Sequence, residues 1–118
     1  LWARKNDKKS RHFFNYQKMK EMNDGKQMKD VWTGSLTKPS EKVEGKHPTQ
    51  KPLALMSQFV RLLSNENDTV MDPFMGSGSS GEAALILKRN FIGSEINADY
   101  FQISNERLSL HGEQKNEL

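Results

Sequence analysis

The 118-residue chain carries a formal net charge of +3, and only 34% of its residues are hydrophobic. That length allows one small domain at most, and the apolar share lies below the roughly 45–50%, glycine included, of a self-sufficient core. The sequence has no cysteine, which excludes disulfides, thiolate chemistry and cysteine-ligated zinc, and no apolar run of about 18 residues able to span a membrane.

The chain opens on Leu1-Trp2-Ala3 rather than Met, which reads as the end of a buried strand, so Leu1 is expected to be a cut edge within a longer protein. Arg4, Lys5, Lys8, Lys9, Arg11, Lys18, Lys20, Lys26 and Lys29 then crowd the first 30 residues. On charge alone this segment suits a phosphate-bearing partner or a solvated polar face equally. From residue 5 to about 46 no periodicity is sustained. Phe13, Phe14 and Tyr16 stand out as aromatic anchors, residues 17–21 suit a short helix ended near Gly25, and Val31-Trp32-Thr33 suits a short extended piece. Residues 34–46, with Pro39, Gly45 and several charges, read as a mobile loop.

The second half is clearer. Leu53, Leu55, Met56, Phe59, Val60, Leu62 and Leu63 recur at helical spacing, with Pro52 placed for the first turn. Residues 65–68 form a turn, and Thr69-Val70-Met71 a short strand ending in Asp72-Pro73. The glycine-rich Gly76-Ser77-Gly78 leads to a helix over residues 81–88, and residues 91–96 are the second strand. Asn97 caps a last helix reaching about Leu110 and predicted to bury Tyr100, Phe101, Ile103 and Leu108, before a polar, disordered tail at 111–118. Helix, strand, helix, strand, helix implies an α/β fold with a parallel sheet covered on both faces. Two strands do not complete such a sheet, so partner strands are expected elsewhere, and the open edges favour self-association as a homodimer.

A strand ending in Asp72, then a glycine turn into a helix, is a recurring nucleotide site, because glycines admit a ligand and the helix start offers free N–H groups. Glu95 follows about 20 residues later at the end of the next strand, where a carboxylate can accept ribose hydroxyls. No Lys follows the glycines, which disfavours a triphosphate, and Asp72 puts an anion where a phosphate would lie. An acid there suits an ammonium or sulfonium, both of which S-adenosylmethionine joins to an adenosine ribose. Gly76, Gly78 and Gly81 also satisfy the bare Gly-x-Gly-x-x-Gly spacing, so a nicotinamide-dependent dehydrogenase fragment stays open on the glycines alone.

The run Asp72-Pro73-Phe74-Met75-Gly76-Ser77-Gly78-Ser79-Ser80-Gly81 resembles the cofactor motif of S-adenosylmethionine-dependent DNA amino-methyltransferases. His47-Pro48-Thr49-Gln50-Lys51-Pro52 resembles the separate motif that precedes it in their permuted beta group. Phe91-Ile92-Gly93-Ser94-Glu95 is similar to the ribose-binding strand, and Tyr100-Phe101 through Arg107-Leu108 to the helix after it. Phe14-Asn15-Tyr16, Met19-Lys20-Glu21, Gly25-Lys26-Gln27-Met28 and Val31-Trp32-Thr33 resemble adenine-specific members.

The resemblance implies a partial Rossmann-like methyltransferase fold. Residues 1–46 would be a strand end plus a DNA target-recognition region, 47–110 an S-adenosylmethionine-binding subdomain, and 111–118 a tail. It implies that Phe74 and the backbone of Gly76, Ser77, Gly78 and Ser79 cradle the methionine end, with Asp72 at its ammonium. Thr49, Gln50 and Lys51 would border the pocket, Lys51 facing the cofactor carboxylate, with Glu95 on the ribose and Asn97 near the adenine. Ser79-Ser80, where two Thr are frequent, and Ser94, often aliphatic, depart from the common pattern. Double-stranded DNA is the implied partner, with Arg4, Lys8, Lys9, Arg11, Lys18, Lys26 and Lys29 as candidate contacts, and the cytoplasm the implied location.

His47, between Lys46 and Pro48, reads as a hydrogen-bonded structural residue rather than a general base, and no second His or carboxylate stands at metal-ligand spacing from it. Trp32 likewise reads as a packing anchor. In this family an acid or Ser followed by Pro-Pro and an aromatic polarises the target amine, and the aromatic stacks on the flipped base. Pro occurs here only at 39, 48, 52 and 73, so no such pair exists, and no catalytic residue is assigned. The permuted order places that motif upstream of Leu1. The expectation is therefore the C-terminal portion of an adenine-N6 methyltransferase, inactive alone and completed by a missing N-terminal half. Cytosine N4 methylation and a split-gene DNA-binding remnant are the alternatives.

Overall fold

A computed structural model describes residues 12–42 and 47–112. The strand end at residues 1–4, the candidate contacts Arg4, Lys8, Lys9 and Arg11, the loop stretch 43–46 and the tail from 113 lie outside the described residues. Helix α1 (Tyr16–Met22) is capped by Asn15, whose Oδ1 accepts the Lys18 N–H at 3.0 Å. A 3-10 turn spans Pro39–Glu41. Then come α2 (Leu53–Leu63), β1 (Thr69–Asp72), α3 (Ser79–Ile86), β2 (Asn90–Gly93) and α4 (Ala98–Ser109).

The strands pair in parallel, Thr69 opposite Asn90 through Asp72 opposite Gly93. Helix α3 packs against both strands, while α2 and α4 pack against α3. The expected order of elements is present, with four differences. Helix α3 starts at Ser79 rather than residue 81, because Gly78 at φ +81° delivers the chain straight into the first turn. Strand β2 ends at Gly93, where pairing with β1 ends. Val31-Trp32-Thr33 is not a strand. Trp32 instead stacks on Phe59 at 4.8 Å between ring centroids and donates its Nε1–H to the Lys29 carbonyl, which makes it the packing anchor expected. Lastly, the sheet is covered on one face only among the described residues. Alternation along the strands turns Val70 and Phe91 toward α3 and leaves the cross-strand pair Met71 and Ile92 70% and 58% exposed.

The core is small: Met19, Val60, Leu62, Met75, Ala83 and Ala84 are buried. Helix α4 departs most from expectation. Phe101 is exposed and Tyr100, Ile103 and Leu108 are half-buried, whereas Ser104 and Arg107 are its buried residues. Ser104 and Arg107 take the face toward the glycine loop and α3, with Leu108 against Gly81, which leaves Phe101 outside that contact. His111, placed at the start of the tail by the sequence, lies with Nε2 3.0 Å from Glu82 Oε1. No described helix is long and apolar enough to cross a membrane.

Ala83 and Ala84 have no exposed surface, so at these two positions α3 meets its neighbours through methyl groups. Ala84→Leu is expected to cost about 1–3 kcal/mol by overpacking, read as a lower urea midpoint. An unchanged midpoint would contradict this packing.

Candidate functional site

Strand β1 delivers Asp72 to the mouth of the glycine loop, and both of its carboxylate oxygens are used there. Oδ1 accepts the Phe74 N–H at 3.0 Å and Oδ2 accepts the Ser80 hydroxyl at 2.5 Å, so one side chain braces both ends of the loop. The segment after β2 runs alongside. Met75 N–H donates to the Ser94 carbonyl, and the Ser94 hydroxyl donates to the Pro73 carbonyl. Glu95 closes the arrangement: Oε2 accepts the Gly76 N–H at 3.0 Å and Oε1 the Asn97 N–H at 2.9 Å. Asn97 caps α4, accepting the N–H groups of Asp99 and Tyr100.

Backbone geometry dictates the glycines at two positions. Gly78, in the left-handed region, lies against α4 so closely that an added Cβ would stand 3.0 Å from Ser104 Cβ. Gly76, at φ +54°, would put a Cβ 3.1 Å from His47 Nε2. His47 thus covers one side of the loop, and its ring also meets that of Tyr100 at 4.1 Å.

Opposite the glycine loop runs the segment 47–52. Gln50 is buried and spent on structure: its Nε2 donates to the Glu41 carbonyl at 2.7 Å and its Oε1 accepts from Arg107 at 3.0 Å. Arg107 also pairs with Glu82 at 2.9 Å and donates to the Glu41 carbonyl, so a guanidinium on α4 anchors this segment to α3. Thr49 and Lys51 remain exposed at the rim, with Lys51 Nζ donating to the Thr49 carbonyl.

The two segments enclose a cleft of about 290 Å³. Of the residues expected there, Thr49, Gln50, Lys51, Asp72, Phe74, Gly76, Ser77 and Ser79 line it. Gly78 faces Ser104 instead, Glu95 reaches the cleft through the Gly76 N–H, and the Asn97 side chain is committed to its cap. Phe74 is 87% exposed at the mouth. Lys18 is elsewhere: with Arg61, Lys88 and Arg89 it borders a separate cleft at the start of the strands, and it pairs with Glu21 at 3.1 Å. Lys26 is exposed, and Lys29 borders an apolar groove with Phe14, Tyr16 and Phe59. No group of three or more His, Cys, Asp or Glu able to hold a metal ion occurs among the described residues.

Chemically, the cleft offers the Asp72 carboxylate on one side with Glu95 behind the Gly76 N–H, an ammonium at the rim and the start of α3, where Gly78 provides no side-chain cap and leaves N–H groups free. Each bonded carboxylate oxygen keeps a second lone pair for a ligand donor. A cationic ligand that also bears a carboxylate fits this set better than a polyphosphate.

Residues 1–106 match the model of the family N6_N4_Mtase, described as DNA methylase. The chain belongs to the DNA methylase family. It is 59% identical over 109 residues to the type II methyltransferase M2.LlaDCHI of Lactococcus lactis subsp. cremoris, covering 92% of this chain and 40% of that protein. It is 56% identical over 113 residues to M2.DpnII of Streptococcus pneumoniae, covering 96% and 42%. This methylase chain therefore spans about two fifths of the length of these relatives. The crystal structure of an M1.HpyAVI–SAM complex superposes with a TM-score of 0.64 at 39% identity, over 86% of this chain and 46% of that one. Family membership sets aside the dehydrogenase alternative and fixes the fold as part of a methyltransferase α/β sheet.

Arg107, Glu82, Glu41 and Ser104 escaped the sequence reading. The signal was present as polar residues Tyr100, Ser104, Arg107 and His111 at i, i+4, i+7 and i+11, one helix face. Arg107→Met is expected to strip Glu82 and Gln50 of their partner and cost about 3 kcal/mol or more in urea unfolding. A variant as stable as the parent would show that the guanidinium does not anchor residues 47–51.

Proposed function

We propose that this chain is the cofactor-binding portion of a site-specific DNA methyltransferase that methylates adenine N6. The observation that carries the reading is a glycine loop held by two carboxylates: Asp72, which lines the cleft facing the Thr49–Lys51 edge, and Glu95, which reaches the cleft through the Gly76 N–H. S-adenosylmethionine would supply there a methyl group on a sulfonium, which an amine nitrogen can take as the carbon–sulfur bond breaks.

This chain's residues bind and orient. Glu95 offers its spare lone pairs to ribose hydroxyls, while Asp72 holds the ammonium. Lys51, freed from the Thr49 carbonyl, turns to the carboxylate. Phe74 shields the mouth, and the backbone of Gly76, Ser77, Gly78 and Ser79 follows the methionine end. Thr49 and Gln50 form the opposite wall, and Asn97 fixes the start of α4 beside the adenine. Polarising the target amine falls to a residue outside this sequence, which has no Pro-Pro pair. The exposed Met71–Ile92 pair and the strand edges left open among the described residues suit a second polypeptide that completes the sheet, a role a homodimer contact could share. Arg4, Lys8, Lys9, Arg11, Lys18, Lys26 and Lys29 would meet phosphates of double-stranded DNA, and the setting would be the cytoplasm.

The chain is expected to transfer no methyl group to DNA alone. Mixed with a polypeptide supplying the remainder of a relative's length, it is expected to yield N6-methyladenine, read by mass spectrometry of the nucleosides. Methylation by the chain alone would overturn its dependence on a completing half. Methylation at cytosine N4, which the N6_N4 family name also covers, would overturn the choice of base. A mixture that neither binds S-adenosylmethionine nor methylates would overturn the function.

A further inference from the structure

We infer that His47 is a positioning residue whose unprotonated Nδ1 locks its ring over Gly76, so that protonating this imidazole weakens cofactor binding. The inference rests on the proposed function and deepens it.

Four contacts define the ring, one of them between Nδ1 and the Thr49 hydroxyl at 3.4 Å. Thr49 N–H donates to Nδ1 at 3.2 Å, a two-residue turn of the kind an Asn side chain makes, and this fixes the ring's rotation within its own segment. The opposite edge stands over Gly76, with Nε2 3.1 Å from the point a Cβ would occupy. Tyr100 backs it from α4. His47 is therefore the side chain through which the Thr49–Lys51 edge bears on the glycine loop, and Gly76 is the residue whose N–H also holds Glu95.

A neutral imidazole with the proton on Nε2 satisfies this geometry. An imidazolium carries a donor on both nitrogens, so the Thr49 N–H would lose its acceptor, Nδ1–H would turn from it to the Thr49 hydroxyl, and the turn would open. The ring would then leave Gly76, and the two walls of the cleft would lose register. Among the described residues, the charged and titratable groups around this position are Lys51 on its own segment, Lys42 across the neighbouring cleft, Tyr100 on α4, and Asp72 and Glu95 around the glycine loop. Comparing variants at residue 47 isolates the imidazole from these groups.

The test is calorimetric titration of the full chain with S-adenosylmethionine between about pH 5 and pH 8, the interval in which histidines change charge. Wild type is expected to bind roughly tenfold more weakly at the acid end, about the effect of one lost hydrogen bond. His47→Phe keeps a ring without the acceptor, and His47→Asn keeps the acceptor without the ring. Both are expected to bind more weakly than wild type at the upper pH and to lose the acid-dependent step. Variants matching wild type in affinity and pH profile would overturn the inference, as would a pH-independent wild type. Should the variants melt, the ¹⁵N shifts of the wild-type imidazole decide: protonation at Nε2 alone supports it, and protonation at Nδ1 overturns it. Wild type that binds no cofactor at any pH would instead sink the proposed function, and this inference with it.

Discussion

Glu95 joins two pieces of backbone that would otherwise be independent. One carboxylate oxygen takes the Gly76 N–H in the loop after β1, and the other takes the Asn97 N–H at the start of α4. A loop with two positive-φ glycines has little conformational preference of its own, and its form is set by what its N–H groups meet. Asp72 does the same from the other strand, taking N–H and O–H groups from both ends of the loop. The cleft is thus shaped by carboxylates before any ligand arrives. That is preorganisation: the acceptors a cationic ligand needs are already fixed by the strands.

The second constraint is the polar face of α4. Tyr100 meets His47, Ser104 receives Gly78, Arg107 reaches Glu82 and Gln50, and His111 meets Glu82. A helix packing by polar contacts gains less from burial than an apolar one, and a buried ion pair is weak evidence of net stability. What it gains here is placement. Arg107 satisfies carbonyl and amide oxygens that lie far from it in sequence, so the segment carrying Thr49 and Lys51 sits at one distance from the glycine loop.

Much of this was legible in the residues. Asp72, the glycines and Glu95 stand at a spacing that the strand–turn–helix connection dictates, and Asn97 announces its helix by capping chemistry. Both signals are local. Arg107 was not legible in that way, because its partners Gln50 and Glu82 become neighbours only when three elements pack. Gln50 borders the cleft as expected, but the contacts of its amide with Arg107 and the Glu41 carbonyl were hidden for the same reason. The burial of Phe101 failed because periodicity shows which residues share a face without showing whether anything covers that face. Lys18 belongs to the basic run in sequence, yet α1 carries it to the end of the sheet away from the glycine loop.

A small core, a sheet whose Met71–Ile92 pair stays exposed, and a cleft between two short segments accord with a chain that spans about two fifths of the length of the methylases it matches. The central claim is that the cofactor enters between the glycine loop and the Thr49–Lys51 edge. Amide chemical-shift mapping of the ¹⁵N-labelled chain during addition of S-adenosylmethionine tests it most directly. The account predicts that the largest shifts fall on Gly76, Ser77, Gly78, Glu95 and Thr49. Shifts concentrated at Lys18, Lys88 and Arg89, or no shifts at all, would contradict it.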